Sequence, residues 1–205
     1  MSPDLHELPP NLPVPVDDGA CDHLPGARVP SVRLVSTAGR VVDLAETAGR
    51  PAVLFFYPRT GEPGKAAGPE WDAIPGARGC TPQSCGFRDL HREFVAQGVT
   101  VFGVSTQETG YQREFVDRNH VPFELLSDAG LALTRALRLP TFEYPVAGGG
   151  PTTLIKRMAW YVDRGCIERI WYPVFPPDRN ADTVLAWLRE RARVIAVERG
   201  EVRLA

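Results

Sequence analysis

Apolar residues come in short, punctuated bursts along this chain of 205 residues. The strongest is Ala52-Val53-Leu54-Phe55-Phe56-Tyr57, six in a row ended by Pro58, which predicts a strand buried on both faces and central in its sheet. Before it, Val32-Arg33-Leu34-Val35 and Arg40-Val41-Val42-Asp43-Leu44 flank Ala38-Gly39 and predict a hairpin. After it, residues 58–79 are dense in Gly and Pro and read as a loop. Phe87, Leu90 and Phe94 then recur at intervals of three and four, predicting one helix over 80–97 with Gly98 as its stop. A strand over 99–105, a helix over 110–120, a strand over 123–127 and a helix over 130–137 alternate, which argues a βαβ sheet covered by helices. Beyond Gly148-Gly149-Gly150, residues 152–162 and 167–172 flank Asp163-Arg164-Gly165 as a second hairpin. An amphipathic helix over 182–197, carrying Val184, Leu185, Leu188 and Ile195, closes the pattern.

Composition adds two embellishments to this core. Twenty Pro and nineteen Gly make up about a fifth of the chain, an excess over ordinary usage. Seven of the prolines fall in residues 1–30, as in Leu8-Pro9-Pro10-Asn11-Leu12-Pro13-Val14-Pro15, which is extended and excludes helix or central strand. We read 1–30 as an arm laid on the body through Leu12, Val14 and Val16, 31–197 as one domain with an extended loop at 58–79, and 198–205 as a tail.

Charge excludes some partners. With 23 Lys and Arg against 25 Asp and Glu there is no basic field for nucleic acid, and no apolar run is long enough for a membrane span. The first residues, Met-Ser-Pro-Asp-Leu-His-Glu, lack the pattern of a secretion signal, and four cysteines are too few for a disulfide scaffold, so a cytoplasmic protein with reduced thiols is expected.

Two of those cysteines sit together. Cys80-Thr81-Pro82-Gln83-Ser84-Cys85 opens the first long predicted helix directly after the loop that leaves the buried strand. A cysteine at a helix N-terminus meets unpaired backbone N–H groups and the positive end of the macrodipole, which favour thiolate over thiol, so Cys80 is the candidate nucleophile. The blander account, two small apolar residues in a helix, stands beside it. On an intact helix, residues five apart lie about 7.5 Å apart along the axis, beyond disulfide reach, so the pair can bridge only if the first turn unwinds. A Cys-x-x-Cys motif of the thioredoxin dithiol kind is missing, and neither it nor an adjacent Cys/His pair is there to hold zinc. No metal or cofactor is expected.

The element order resembles a thioredoxin-like α/β fold with an added N-terminal hairpin, and the motifs narrow the resemblance further. Phe55-Phe56-Tyr57-Pro58, Gly79-Cys80-Thr81-Pro82-Gln83-Ser84-Cys85-Gly86-Phe87-Arg88-Asp89, Phe102-Gly103-Val104-Ser105 and Phe123-Glu124-Leu125-Leu126-Ser127-Asp128 run in order from about Gly26 to Arg191. They resemble the peroxiredoxins, in particular the bacterioferritin-comigratory or Q-type branch. The resemblance implies a thiol peroxidase of hydrogen peroxide and organic hydroperoxides. Cys80 would attack the peroxide and become a sulfenic acid, Cys85 would resolve it as a disulfide, and thioredoxin or a similar dithiol protein would reduce that disulfide. It also implies an active-site arginine on a late strand, for which Arg157 in Lys156-Arg157-Met158-Ala159-Trp160-Tyr161-Val162-Asp163 is the match. A guanidinium beside Cys80 would hydrogen-bond the peroxide as charge moves to its leaving oxygen. A monomer and a homodimer are both compatible with the sequence.

The loop before Cys80 departs from the family pattern of proline, three residues, threonine, two residues, cysteine. Pro58 is in place, but Ala77 stands where the threonine belongs. Thr60-Gly61-Glu62-Pro63-Gly64 reads like the motif's start interrupted by an insertion over Lys65 to Gly79. If the insertion folds outward, Pro58 and Thr60 return to the pocket; otherwise Trp71 or Arg78 supplies a different wall. Arg88 and Asp89 read as a helix-surface pair, Cys21 and Cys166 as incidental thiols, His91 and His120 as exposed residues, and Tyr57 and Trp160 as core aromatics. Two competing functions use the same fold: a peroxide-responsive redox sensor and a protein-disulfide oxidoreductase.

Overall fold

The computed structural model describes residues 8–61, 68–144 and 152–198. The glycine run 148–150, the Glu62-Pro63-Gly64 stretch of the interrupted motif and all but the first residue of the 198–205 tail lie outside these residues. The first hairpin forms from β1 (Arg33–Ser36) and β2 (Val41–Asp43), and Asp43 caps a short helix, α1 (Leu44–Thr47), by accepting from the Ala45 and Glu46 amides. The apolar run becomes β3 (Ala52–Phe56), buried throughout, and is followed by α2 (Pro69–Asp72) and α3 (Cys80–Asp89). Then come α4 (His91–Ala96), β4 (Thr100–Ser105), α5 (Thr109–Asn119), β5 (Glu124–Ser127) and α6 (Ala132–Ala136). The remainder is β6 (Thr141–Glu143), β7 (Thr153–Ile155), β8 (Met158–Asp163), β9 (Cys166–Trp171), a 3-10 turn at Pro177–Arg179 and α7 (Asn180–Glu198).

Seven strands form one sheet in the order β2-β1-β5-β4-β3-β8-β9. Strands β3, β4 and β5 run parallel at its centre, while β1 and β8 join them antiparallel. Alternation along β3 divides the core. Leu54 and Phe56 pack with Phe102, Val104 and Trp160 on one face, and Val53, Phe55 and Tyr57 pack with Phe87, Phe94, Phe115 and Val184 on the other. The second face is the one that α3 and α7 cover. Phe55 stacks on Phe87 of α3 with ring centroids 4.4 Å apart. Gly103 in β4 makes room for this, because a Cβ there would run into Phe55 and Leu125.

Four expectations are corrected. The helix over 80–97 breaks at Leu90 (φ −96°, ψ 10°) into α3 and α4. Phe87 and Phe94 still meet across the break, 5.5 Å between ring centroids, so the seven-residue spacing conceals it. The strand over 152–162 breaks at Lys156-Arg157, because β7 leaves the main sheet to pair with β6. The loop 58–79 contains α2, whose Trp71 packs on Phe142 and Tyr144 at ring distances of 6.1 and 5.0 Å and so pins the insertion to the β6–β7 ribbon.

The arm, finally, is not held by Val14 and Val16, which are exposed. It is anchored by buried Cys21 and Leu24 and by Asp18, which pairs with Lys156 Nζ at 2.7 Å and accepts from the Tyr172 hydroxyl at 2.8 Å. Farther back, Pro15 packs at Gly76, and Leu8 joins Pro177 in the space that a Gly79 side chain would occupy.

Candidate active site

Cys80 is the first residue of α3, and Gly79 before it takes a left-handed conformation (φ 100°) that turns the chain from the insertion into the helix. The sulfur is buried, so fixed protein donors stand in for water around it. Among the described residues two donors reach it: Arg157 Nη2 at 3.2 Å and the backbone N–H of Arg59 at 3.4 Å. The thiol itself points its hydrogen toward the Ala77 carbonyl at 3.6 Å.

Arg157 enters the site from the break between β7 and β8. Its guanidinium is buried, and each of its three nitrogens donates a hydrogen bond. Nε donates to the Gly76 carbonyl at 3.2 Å, and Nη2 donates to the Ala77 and Arg78 carbonyls at 3.0 and 3.1 Å as well as to Cys80. Nη1 donates to Gln83 Oε1. One cation therefore ties together the end of the insertion, Cys80 and the first turn of α3. Only guanidinium has five donors in a planar fork suited to this.

The other expected residues separate. Pro58 is buried at the end of β3 and directly precedes the Arg59 amide that faces the sulfur. Thr60 is also buried, but its hydroxyl and amide both donate to Gln107 Oε1, at 3.1 and 3.0 Å. The donor at Cys80 from this segment is thus the Arg59 backbone and not the Thr60 hydroxyl. Neither proposed wall lies over the sulfur by side-chain bonding: Trp71 belongs to the β6–β7 aromatic cluster, and the Arg78 guanidinium pairs with Asp72 at 3.4 Å. Cys85 lies one and a half turns along α3, buried, its thiol pushed up by desolvation. Cys21 is held up to about 12, chiefly by burial, at 3.9 Å from the Met158 sulfur.

Gln83 and Asn180 were not anticipated. Gln83 is three residues after Cys80, hence on the same face of the helix, a spacing that flags it in retrospect. Its Nε2 donates to Asn180 Oδ1 at 2.9 Å. Nothing local marks Asn180, which stands 97 positions away at the start of another helix. Among the described residues no group of three or more His, Cys, Asp or Glu is placed to hold a metal ion, and no helix is long and apolar enough to cross a membrane.

A parallel-centred sheet with a buried cysteine opening the helix after its central strand defines a thioredoxin-fold protein with a thiol site. A profile of the redoxin family matches residues 24–185, and the chain belongs to that family. It is similar to peroxiredoxin Q, chloroplastic, of Oryza sativa subsp. japonica, 29% identical over 164 residues that cover 80% of this chain. The matched segment spans 66% of the rice protein, just under two thirds of its length. Among solved structures it is similar to peroxidoxin BcpB from Mycobacterium tuberculosis, with TM-score 0.63, 27% identity and coverage of 82% of this chain and 97% of that one. It is also similar to Xanthomonas campestris peroxiredoxin Q, with TM-score 0.61, 25% identity and coverage of 87% and 97%. These relatives match the Q-type branch to which the motifs pointed, and the fold agrees with the thioredoxin-like expectation.

Proposed function

We propose that this chain is a thiol peroxidase of the Q type that reduces hydrogen peroxide and organic hydroperoxides with Cys80 as attacking thiolate. The observation that carries the reading is the pair of donors on the Cys80 sulfur, the Arg157 guanidinium at 3.2 Å and the Arg59 N–H at 3.4 Å, at a helix N-terminus. The thiolate attacks one peroxide oxygen, the O–O bond breaks with its electron pair leaving on the distal oxygen, and that oxygen takes a proton to depart as water or an alcohol. Cys80 is left as a sulfenic acid. A permanent, preorganised cation beside the sulfur stabilises charge as it shifts onto the leaving oxygen.

Cys85 then attacks the Cys80 sulfur, expels its oxygen as water and forms the disulfide. In the structure α3 is continuous from Cys80 through Cys85, and five residues of helix span about 7.5 Å. The first turn must therefore unwind, which breaks the bonds of Gln83 to Arg157 and Asn180. A thioredoxin-like dithiol protein returns the pair to thiols, and the cytoplasmic setting inferred from cysteine usage belongs to the same proposal.

Steady-state peroxide consumption with a thioredoxin system tests it. Repeated turnover is expected, with none in Cys80→Ser and a single oxidation to sulfenic acid in Cys85→Ser. Oxidation of the wild type without recycling would favour the redox-sensor function.

A further inference from the structure

Arg157 depends on Gln83, and Gln83 has a choice to make. A glutamine amide has an acceptor end and a donor end of nearly the same shape, whereas guanidinium only donates. Only one of the two amide orientations hydrogen-bonds Arg157; the other turns an NH2 group against it and leaves a buried cation one acceptor short. Gln83 is fully buried and Asn180 is 3% exposed, so bulk water does not set the orientation. Arg157, which can only donate, takes Gln83 Oε1, and Asn180 Oδ1 accepts from Gln83 Nε2 at 2.9 Å, so the two neighbours together hold the amide in one orientation.

The polarity then runs in one direction. Asn180 accepts from Gln83, Gln83 accepts from Arg157, and Arg157 donates to the Cys80 sulfur. Asn180 itself is placed by the 3-10 turn Pro177–Arg179, whose Pro177 packs at Gly79, the residue before Cys80. We infer that Asn180, the first residue of α7, is a positioning residue for Cys80, acting at the far end of this relay by accepting from Gln83 Nε2 and so holding Gln83 Oε1 on Arg157. The inference rests on Cys80 being the reactive thiol of the proposed peroxidase.

A symmetric side chain in place of Gln83 removes the choice. The carboxylate of Gln83→Glu has two acceptor oxygens and no wrong orientation, so Asn180 should become dispensable in that background. The measurement is the rate at which iodoacetamide alkylates Cys80 in the reduced protein at neutral pH, read by mass spectrometry of the Cys80 peptide. Asn180→Leu is expected to slow it about tenfold in the otherwise wild-type protein. The same change made in Gln83→Glu should alter the rate less than about twofold relative to Gln83→Glu alone. Asn180→Asp keeps an acceptor for Gln83 and suits a helix start, so it should stay within about threefold of wild type and reports even if the leucine variant folds poorly.

Equal losses from Asn180→Leu in both backgrounds would make Asn180 a packing residue and overturn the inference. So would no loss in the wild-type background, or an Asn180→Asp protein as slow as Asn180→Leu. Because no peroxide enters the assay, failure of the peroxidase reading shows separately, as absent turnover with the alkylation split intact.

Discussion

Arg157 Nη2 lies 3.2 Å from the Cys80 sulfur while the same guanidinium grips the carbonyls of Gly76, Ala77 and Arg78. The guanidinium proposed to activate Cys80 is therefore also the clasp that closes the inserted loop onto α3. Arg157→Ala should slow the peroxide-driven oxidation of Cys80 by about 10²-fold or more, the cost of losing one preorganised charge-assisted donor. Arg157→Lys keeps the charge but has no fork to span these acceptors, and it should recover only a minor part of the rate. Stopped-flow oxidation of reduced protein by hydrogen peroxide measures both, and an unchanged rate in Arg157→Ala would move the role elsewhere.

Thr60 makes a contrasting case. Its hydroxyl is committed to Gln107 Oε1, while the Arg59 amide serves the sulfur. Thr60→Val should leave the oxidation rate within about threefold of wild type and cost about 1 kcal/mol of stability, the usual net worth of one hydrogen bond. Denaturant unfolding beside the stopped-flow assay checks the pair of outcomes. A hundredfold slower oxidation would return the hydroxyl to the sulfur.

The reactivity of Cys85 should depend on pH. Burial holds the Cys85 thiol above the ordinary cysteine range, so at neutral pH it carries less thiolate than a free cysteine does. Alkylation of the reduced, folded protein at pH 7 should label Cys80 first. Labelling of Cys85 should grow as pH rises toward and beyond the normal thiol range. Peptide mass spectrometry across a pH series reads this directly, and equal labelling at pH 7 would contradict it.

The arm carries its own reporter. Asp18 is lowered from 3.8 to about 2 by its hydrogen bonds to Lys156 and Tyr172. A carboxylate depressed in the folded state stabilises it fully above its unfolded value and loses that contribution as pH falls through the folded one. The arm should thus loosen on acidification from about 4 toward 2. At neutral pH, Asp18→Asn should mimic the loosening and raise the alkylation rate of Cys21, which is buried beneath the same segment. An unaltered Cys21 rate would mean that Leu24 and its neighbours hold the arm without Asp18.

Periodicity and punctuation determined the core elements, because a buried strand, an amphipathic helix and a hairpin each leave a short-range signature. Most of the run 52–57 became β3 (Ala52–Phe56), and Cys80 stands out as the candidate nucleophile because a helix N-terminus is a local property that a sequence displays. What the tertiary structure decided are relations between segments far apart in the chain. The break at Lys156-Arg157 exists because β7 pairs with β6, and that break delivers Arg157 to Cys80 across 77 positions. Asn180 meets Gln83 across 97 positions, and the Arg59 backbone, which has no residue-specific signature, takes the place on the sulfur that the motif would assign to Thr60. A hydrogen bond between distant groups depends on where folding brings both ends, and no window along the chain contains both.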